Sequence, residues 1–325
     1  MPNIQVVDIS AISLARDNPG EEDYRAIAAA LDTSFADIGF AYIKNHGLSQ
    51  DIINQAMEAS MKFFHMEHAV KTLSRKGLKY QGWVEQGREI FEQDEEGKVA
   101  ELEVRETYDM KNISSAGIFP DQSCPELRKC LTRLSEESKA LAERLLRCIS
   151  LALGKDLDYL ARQHRGMLSE GMVDGVASST TLRSIHYPPI PDNLAARPGI
   201  IRCGEHSDYG TITLLYQDSL GGLEVKDVAG HWVSAEPIPG CILINVGDLL
   251  EALTTGRYPA TRHRVVVPHQ EFQRKTLRQS IVFFVHPDDA VVCQPLSGPD
   301  PRYPPVTARG HLENRFRATY GERLQ

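Results

Sequence analysis

The chain has 325 residues, of which 42% are hydrophobic and 25% charged, and its formal net charge is −8. These values are typical of a folded globular protein and argue against a disordered, fibrous or repeat-built chain. The acidic balance, together with the lack of a basic run interleaved with aromatic residues, argues against nucleic acid as a partner and favours a small molecule.

The six cysteines are scattered without CxxC spacing, which argues against a disulfide framework or a zinc site. No signal-peptide pattern is visible at the N-terminus, and no apolar run approaches the roughly 20 residues that span a bilayer. We therefore expect reduced thiols, a cytoplasmic location and no membrane partner. Because no long heptad or exposed apolar stripe stands out, a monomer is the default expectation.

The pattern of the first 70 residues predicts a mixture of helix and strand. Amphipathic helices are indicated at 22–40 and 49–64, with a short strand at 40–43 between them. The polar region 71–112 lacks a clear period, so we expect a long loop or a pair of short strands, which often line binding sites. The strongest helical pattern lies at 125–153 and predicts a helix that packs against the rest of the fold.

After about residue 181 the pattern changes to short apolar runs separated by Gly, Pro and Asp, such as CILINVGD and RQSIVFFVHP. Short strands at regular spacing predict a β-sandwich or barrel. The fold class is therefore α+β, with a β-rich catalytic half wrapped by N-terminal helices. We expect one globular unit, comprising an N-terminal region (1–120), packing helices (121–180) and a catalytic region (181–325).

A candidate metal site combines His206, Asp208 and His263. His206 and Asp208 lie two residues apart in GEHSDYG, and on an extended segment this spacing directs both side chains to one face. His263 begins another apolar strand and could supply a third ligand. Two histidines and one carboxylate hold Fe(II) while leaving adjacent positions open. Alone, an HxD tripeptide is more often a surface turn, so the hypothesis depends on the apolar strands that adjoin both segments.

Three other histidines compete for this role, namely His186, His269 and His286. Of these, only His286 has a carboxylate two residues further on, at Asp288. The intervening proline indicates that the chain is leaving its strand there. We expect all three to be surface or packing histidines.

A second candidate element is Arg278 with Ser280, in RQSIVFFV. On a strand they share a face, so guanidinium and hydroxyl could bind one carboxylate at the end of an apolar cavity. The alternative is an arginine on the solvent face of an edge strand. The phenol of Tyr187 could complete this clamp, although a tyrosine before two prolines is more often part of a packed wall.

With these residues in place, the chain resembles the iron(II)- and 2-oxoglutarate-dependent dioxygenases of the isopenicillin N synthase-like family. The similar segments include DIGFAYIKNHGL, LRSIHYPP, EHSDYGTITLLYQD, ILINVGDLLEALTTGRYPATRHRVV and RQSIVFFVHPD. The resemblance covers nearly the whole chain except about 75–180. It implies a distorted double-stranded β-helix, the jelly roll, as the core.

The resemblance also implies roles for individual residues. His206, Asp208 and His263 would bind iron. Arg278 and Ser280 would hold the distal carboxylate of 2-oxoglutarate, and Tyr187 would support it. Ile185 stands where some relatives carry an asparagine near the co-substrate, so we expect less support from that strand.

The implied reaction consumes 2-oxoglutarate and O2, releases succinate and CO2, and hydroxylates a small metabolite, with ascorbate as an accessory reductant. Desaturation or ring closure are variants of the same chemistry. Three alternatives stay open at this point: an oxidase of the same family that uses no 2-oxoglutarate, a non-catalytic binding or sensing relative, and a zinc hydrolase. Succinate formation and the identity of the metal discriminate between them.

Further expectations concern the surroundings of the site. Asn245, Gly247 and Asp248 should have structural roles in a turn and a capped short helix. Of Phe283 and Phe284, one should face the interior as core packing. The substrate pocket should be lined by 81–91, by Arg105 and Glu106, and by 309–316, with Trp83 and Arg88 as surface loop residues.

Overall fold

The computed structural model describes residues 4–75, 81–89, 101–111, 119–168, 176–195, 197, 199–267 and 274–320. His269 and part of the predicted pocket segment 81–91 lie outside these residues, so the predictions made for them stay untested. Among the described residues, no helix combines the length and the apolar character needed to cross a membrane.

The strands alternate with helices in the first half and dominate the second. In chain order they are β1 (Val6–Asp8), β2 (Phe40–Lys44), β3 (Gly82–Val84), β4 (Leu102–Glu103), β5 (Glu106–Met110), β6 (Thr181–Tyr187), β7 (Ile200–Ile201), β8 (Cys203–His206), β9 (Ile212–Gln217), β10 (Leu223–Lys226), β11 (Trp232–Ser234), β12 (Cys241–Val246), β13 (His263–Val265), β14 (Arg278–Val285), β15 (Val292–Cys293) and β16 (Val306–Thr307). The helices are α1 (Glu21–Ile38), α2 (Gln50–Phe64), α3 (His68–Thr72), α4 (Pro125–Ala152), α5 (Arg165–Leu168), α6 (Asp192–Ala195), α7 (Asp248–Leu253) and α8 (Ala308–Tyr320).

Two sheets form the core. The larger has eight strands in the order β1-β2-β12-β9-β14-β6-β5-β3, and the smaller has four in the order β11-β10-β13-β8. Within the larger sheet β1 and β2 pair in parallel and the other neighbours pair antiparallel. Side chains from both sheets form one buried cluster, so the sheets face each other as in a jelly roll.

The long helices cover the outer face of the larger sheet, and their ends follow ordinary capping rules. The Ser49 hydroxyl accepts a hydrogen bond from the backbone N–H of Asp51 and caps α2. Pro125 opens α4, where its missing N–H costs nothing. Gly39 ends α1 at φ 70°, and a Cβ there would lie 2.2 Å from the Pro259 carbonyl oxygen. The helices predicted from the apolar period are therefore confirmed.

The larger sheet is a wall with two different faces, because successive strand residues point in opposite directions. On β14, Ile281, Phe283 and Val285 join the core beneath the helices. Arg278, Ser280, Val282 and Phe284 line the cavity between the sheets. Phe283 thus has the interior position expected for one of the two phenylalanines.

The described residues of the region 71–112 form three short strands where we expected a long loop or a pair: β3 and β5 extend the larger sheet, and β4 pairs with β7. Trp83 contradicts its prediction as a surface loop residue, since it lies on β3 and is 1% exposed. Its indole Nε1 donates a hydrogen bond of 2.7 Å to Glu106 Oε2. A strand of three residues has no readable period, which is why the sequence pattern failed there. Arg88 does lie at the surface, beside Glu85.

Candidate active site

His206, Asp208 and His263 meet in the smaller sheet. His206 ends β8, His263 begins β13, and the two residues are directly opposite in the antiparallel register. The Nε2 atoms of His206 and His263 lie 3.9 and 3.7 Å from Asp208 Oδ1. One donor atom from each residue falls within 4.8 Å of the others. The predicted triad is therefore brought together on one small patch.

Each histidine is fixed so that its Nε2 atom faces the patch. Nδ1 of His206 lies 2.8 Å from the Gly204 carbonyl oxygen, and Nδ1 of His263 lies 3.1 Å from the Thr261 carbonyl oxygen. Because a carbonyl only accepts hydrogen bonds, Nδ1 carries the proton and Nε2 keeps its lone pair. Burial, and next the neighbouring His263, hold the pKa of His206 well below its usual range, so this ring is neutral at pH 7.

Asp208 is oriented from the opposite sheet. Nδ2 of Asn245, on the cavity face of β12, donates a 2.6 Å hydrogen bond to Asp208 Oδ2. This leaves Oδ1 directed at the two histidines. We expected only a structural role for Asn245, and the sequence pattern missed its contact with the triad. The available signal was a lone amide among the apolar residues of CILINV, since a buried amide needs a partner.

The turn after Asn245 supports the same region. A Cβ on Gly247 would lie 2.4 Å from the Gly210 carbonyl oxygen, so only glycine allows this approach. The backbone N–H of Asp248 donates to the Asp208 carbonyl, and its carboxylate lies 3.0 Å from His311 Nε2 on α8. Gly247 and Asp248 thus have the structural roles that we expected.

Arg278 and Tyr187 face each other across β14 and β6, at one end of the cavity. β14 is interior to the sheet, so the edge-strand alternative for Arg278 is wrong. The Arg278 guanidinium is 1% exposed and lies 4.8 Å from the centre of the Tyr187 ring. Ser280 shares this face, two residues on, and is also 1% exposed. Its partner across the ladder is Ile185, which offers no polar group.

The hydrogen bonds of Arg278 are incomplete. Nε donates to the Gly221 carbonyl at 2.7 Å, and Nη2 donates to Gln217 Oε1 at 2.9 Å. Nη1 is buried and has no hydrogen-bond partner among the described residues. A second buried guanidinium lies nearby, since burial and then the charge of Arg278 lower the pKa of Arg202 to about 10. Two buried cations, with no described carboxylate paired to Arg278, make this end of the cavity a site for an anion.

The expected pocket residues divide between the two faces of the larger sheet. Arg105 borders the cavity, as do Glu89 and, from α8, Leu312 and Phe316. Glu106 does not, and its prediction is wrong, because the alternation along β5 turns it toward Lys71, Trp83 and His186.

The competing histidines occupy two environments. His186 packs against Phe64, with ring centres 5.3 Å apart, and has the packing role that we expected. His286 is buried, but its side chain borders the cavity. It is therefore more than the simple surface or packing residue that its proline neighbour suggested.

Comparison with known proteins identifies the chain as a family member. The family model of the 2OG-Fe(II) oxygenase superfamily matches residues 178–287. A second model, for the N-terminal region of a non-haem dioxygenase in morphine synthesis, matches residues 4–126. These two matches include the triad, the clamp residues and all of the N-terminal strands and helices up to the start of α4.

Similar sequences extend over almost the full chain. A 2-oxoglutarate-dependent dioxygenase, frbA, from Dothideomycetidae sp. (strain 11243) is 31% identical over 89% of this chain and 90% of the relative. A homoarginine-6-hydroxylase from Arabidopsis thaliana is 28% identical and covers 99% of this chain and 95% of its own.

Solved structures agree with this similarity. A full-length Neurospora crassa protein, solved in complex with alpha-KG, aligns with a TM-score of 0.79 at 26% identity, covering 96% of this chain and 95% of that one. A 2OG-Fe(II) oxygenase family protein from Caulobacter crescentus aligns with a TM-score of 0.77 at 28% identity, covering 97% and 98%. The jelly-roll prediction is confirmed, and the chain belongs to the 2OG-Fe(II) oxygenase superfamily.

Proposed function

We propose that His206, Asp208 and His263 bind Fe(II), and that Arg278 and Ser280 hold the distal carboxylate of 2-oxoglutarate with Tyr187 behind them. As a member of its superfamily the protein is a 2-oxoglutarate- and Fe(II)-dependent oxygenase. The proposal assigns that chemistry to particular side chains. We further propose that the oxidised substrate is a small molecule and that the usual outcome is hydroxylation.

The donor set fits Fe(II). Two imidazole nitrogens and one carboxylate oxygen lie close together and border the cavity, a donor set that leaves further coordination positions open. The second oxygen of Asp208 is occupied by Asn245, so the carboxylate presents a single oxygen to a metal.

The orphaned Nη1 atom of Arg278 is the observation that carries the co-substrate assignment. A buried guanidinium donor without a partner costs free energy, and a carboxylate supplies both the missing acceptor and the opposite charge. 2-Oxoglutarate has one carboxylate for this end and one, beside its keto group, for the metal. Ser280 can donate a hydroxyl hydrogen to the same carboxylate, while the ring of Tyr187 packs against the guanidinium.

When bound, Fe(II) with 2-oxoglutarate and O2 supplies the oxidising power, and 2-oxoglutarate ends as succinate and CO2. The protein's own residues orient the metal ligands and the co-substrate and enclose the space for the substrate. Asn245 holds Asp208, Arg278 aligns the co-substrate, and the apolar side chains of Val282 and Phe284 line the space toward the substrate. Exclusion of water protects a reactive site from side reactions.

Support for a small substrate comes from the solved relatives, since the N. crassa protein has also been solved with thymine and with 5-formyluracil. We also propose that the protein acts as a cytoplasmic monomer without a nucleic-acid partner, and that ascorbate keeps the iron reduced. The division of the chain at residues 120 and 180 stays a prediction.

The decisive experiment starts with anaerobic apoprotein. Fe(II) and 2-oxoglutarate are added, the visible spectrum is recorded for the weak metal-to-ligand charge-transfer band, oxygen is admitted, and succinate is assayed. We expect both signals from the natural protein, neither from His263→Ala, and both from His231→Ala, whose ring is 78% exposed. Bound iron without band or succinate would contradict the proposal and favour an oxidase that uses no 2-oxoglutarate.

A further inference from the structure

His286 lies at the far end of the cavity from Arg278. It follows β14 directly and has the same parity as the four cavity-facing residues of that strand. Eight residues at 3.3 Å each place it about 26 Å along the strand from the clamp. His286 is thus too distant to assist 2-oxoglutarate, and it belongs to the part of the cavity left for the substrate.

The ring of His286 has no hydrogen-bond partner among the described residues at either nitrogen, although the side chain is buried. The backbone of His286 is held by Thr180. The backbone N–H donates to Thr180 Oγ1 at 3.0 Å, and the backbone carbonyl accepts from the same hydroxyl at 3.2 Å. Buried imidazoles are normally hydrogen-bonded, so a buried ring without a partner indicates a position that a ligand completes.

Lys111 supplies a positive charge at the same end. It continues the cavity face of β5, and its Nζ lies 5.8 Å from the centre of the Phe316 ring. Burial, followed by the charge of Lys111, lowers the pKa of His286 to about 3. The imidazole is therefore neutral at pH 7, with one nitrogen as a donor and the other as an acceptor.

The carboxylates that border this part of the cavity are already engaged. Arg183 binds Asp109 through two hydrogen bonds of 2.6 and 2.8 Å, and its Nη1 lies 3.0 Å from Glu89. Arg105 also pairs with Glu89, at 3.2 Å. These carboxylates therefore do not present bare negative charges that would repel an anionic ligand.

The lining of the cavity also includes the apolar and aromatic side chains of Tyr209, Phe284, Leu312 and Phe316. The rings of Tyr209 and Phe316 pack edge to face at 6.2 Å. This arrangement suits a ligand with an apolar body and one polar terminus.

We propose that His286 and Lys111 bind the carboxylate of the substrate, and that the substrate class is small monocarboxylic acids with an apolar or aromatic body. The inference rests on the proposed function, because it places the body of the acid between this anchor and the triad. The imidazole N–H and the ammonium group are hydrogen-bond donors suited to a carboxylate, whereas an amide offers them only a neutral oxygen.

The test uses the anaerobic Fe(II) complex saturated with 2-oxoglutarate, so that the clamp is filled before the probe is added. Two matched pairs are titrated calorimetrically: 3-phenylpropanoate with 3-phenylpropanamide, and hexanoate with hexanamide. We expect at least one acid to bind about ten- to a hundred-fold more tightly than its amide, as hydrogen bonds to a charged group imply. Equal affinity within both pairs, or no binding of either acid, overturns the proposal.

Variants test whether His286 and Lys111 cause the preference for the acid over the amide. His286→Phe and Lys111→Met should each remove most of the preference for the acid while the affinity for 2-oxoglutarate stays unchanged. His231→Phe and Lys129→Met are matched controls, because their side chains are 78% and 79% exposed. If His286→Phe fails to fold, His286→Gln and Lys111→Met carry the test. A preference that survives in the Lys111→Met variant overturns the proposal.

The outcomes separate this inference from the proposed function. If 2-oxoglutarate binds normally but acids are not preferred, the proposed role of His286 and Lys111 is wrong and that of Arg278 and Ser280 stands. If 2-oxoglutarate does not bind but acids are preferred and His286 variants abolish this preference, the proposed role of Arg278 and Ser280 is wrong and that of His286 and Lys111 stands.

Discussion

Arg278 is deeply buried and its Nη1 donor has no hydrogen-bond partner among the described residues, so its replacement should change the affinity for 2-oxoglutarate. We expect Arg278→Ala to weaken 2-oxoglutarate binding by about 30- to 5000-fold, corresponding to the roughly 2 to 5 kcal/mol typical of a truncated buried charge pair. Iron binding should persist, because Arg278 contacts no residue of the triad. Titration of 2-oxoglutarate into the Fe(II) protein measures this, with Arg302→Ala, 66% exposed, as the control. An unchanged affinity would show that the clamp lies elsewhere.

Asn245 acts on the metal through another residue. Asn245→Ala removes the donor to Asp208 Oδ2 and frees the carboxylate to rotate. We expect about 10- to 100-fold weaker iron binding, the usual effect of losing a hydrogen bond to a metal ligand. Competition with a chelator gives the iron affinity, and Asn54→Ala, in an exposed pair with Gln50, is the matched control. Equal iron affinity in the two variants would mean that the hydrogen bond does not position Asp208.

For individual residues, the sequence correctly predicts which side chains share a face of one strand, because the period of two is a property of the strand itself. His206 with Asp208 and Arg278 with Ser280 were found in this way. The roles of Asn245 and His286 depend on which strand or cavity lies opposite, and local pattern does not specify that. Glu106 was misassigned for the same reason, since the face of β5 that borders the cavity is set by the neighbouring strand.

Among the elements, α8 connects the end of the chain to the candidate metal site. Asp248, whose backbone N–H binds the Asp208 carbonyl, lies 3.0 Å from His311 and 3.6 Å from Arg315 on α8. The Tyr209 hydroxyl lies 3.0 Å from Thr319 Oγ1. The helix that carries Phe316 into the cavity is thus held by residues adjacent to the triad.

We expect Asp248→Asn to loosen α8, because the ion pair with Arg315 is lost and the contact with His311 no longer involves a carboxylate, while the side-chain volume is kept. Hydrogen exchange of residues 308–319 should become faster than in the natural protein. Glu313→Gln removes an exposed ion pair with Arg309 within the same helix and should have little effect. If both variants exchange alike, the Asp248 contacts do not hold the helix.

The elements themselves were predicted unequally. Helices of fifteen residues or more, such as α1, α2 and α4, have enough turns to display an apolar period, and the sequence placed them to within two residues. The two- and three-residue strands β3, β4 and β7 are defined by their pairing partners. Trp83 was therefore misread as a loop residue, because its burial depends on β5 pairing beside it.

At the scale of the whole molecule, the buried His164 makes the free energy of unfolding depend on pH. His164 is fully buried, between the Leu160 carbonyl at 2.7 Å and Thr211 Oγ1 at 2.9 Å, and burial lowers its pKa to about 4. Its folded-state pKa is below the unfolded value of about 6.5. The neutral ring thus contributes stability that is present above pH 6.5 and is lost as pH falls toward 4.

The size of that loss follows from the shift. A lowering of the His164 pKa from about 6.5 to about 4 corresponds to about 3 kcal/mol of unfolding free energy. His164→Gln should be less stable at pH 7 but should lose about 3 kcal/mol less than the natural protein between pH 6.5 and 4. Urea denaturation of the apoprotein across this range provides the measurement, with the exposed His231→Gln as control. Parallel pH profiles would exclude His164 as the titrating group.

The two-faced β14 has a further consequence for how this protein can change. Odd-numbered positions of β14 pack under the helices and even-numbered positions border the cavity. Core stability and ligand preference therefore depend on alternate residues of one strand. Substitutions at Val282 or Phe284 can reshape ligand preference while Ile281 and Phe283 keep the hydrophobic core. Laboratory evolution confined to Val282 and Phe284 should therefore yield variants of altered selectivity with little loss of thermal stability, whereas a one-residue insertion in β14 would disrupt both the cavity lining and the core.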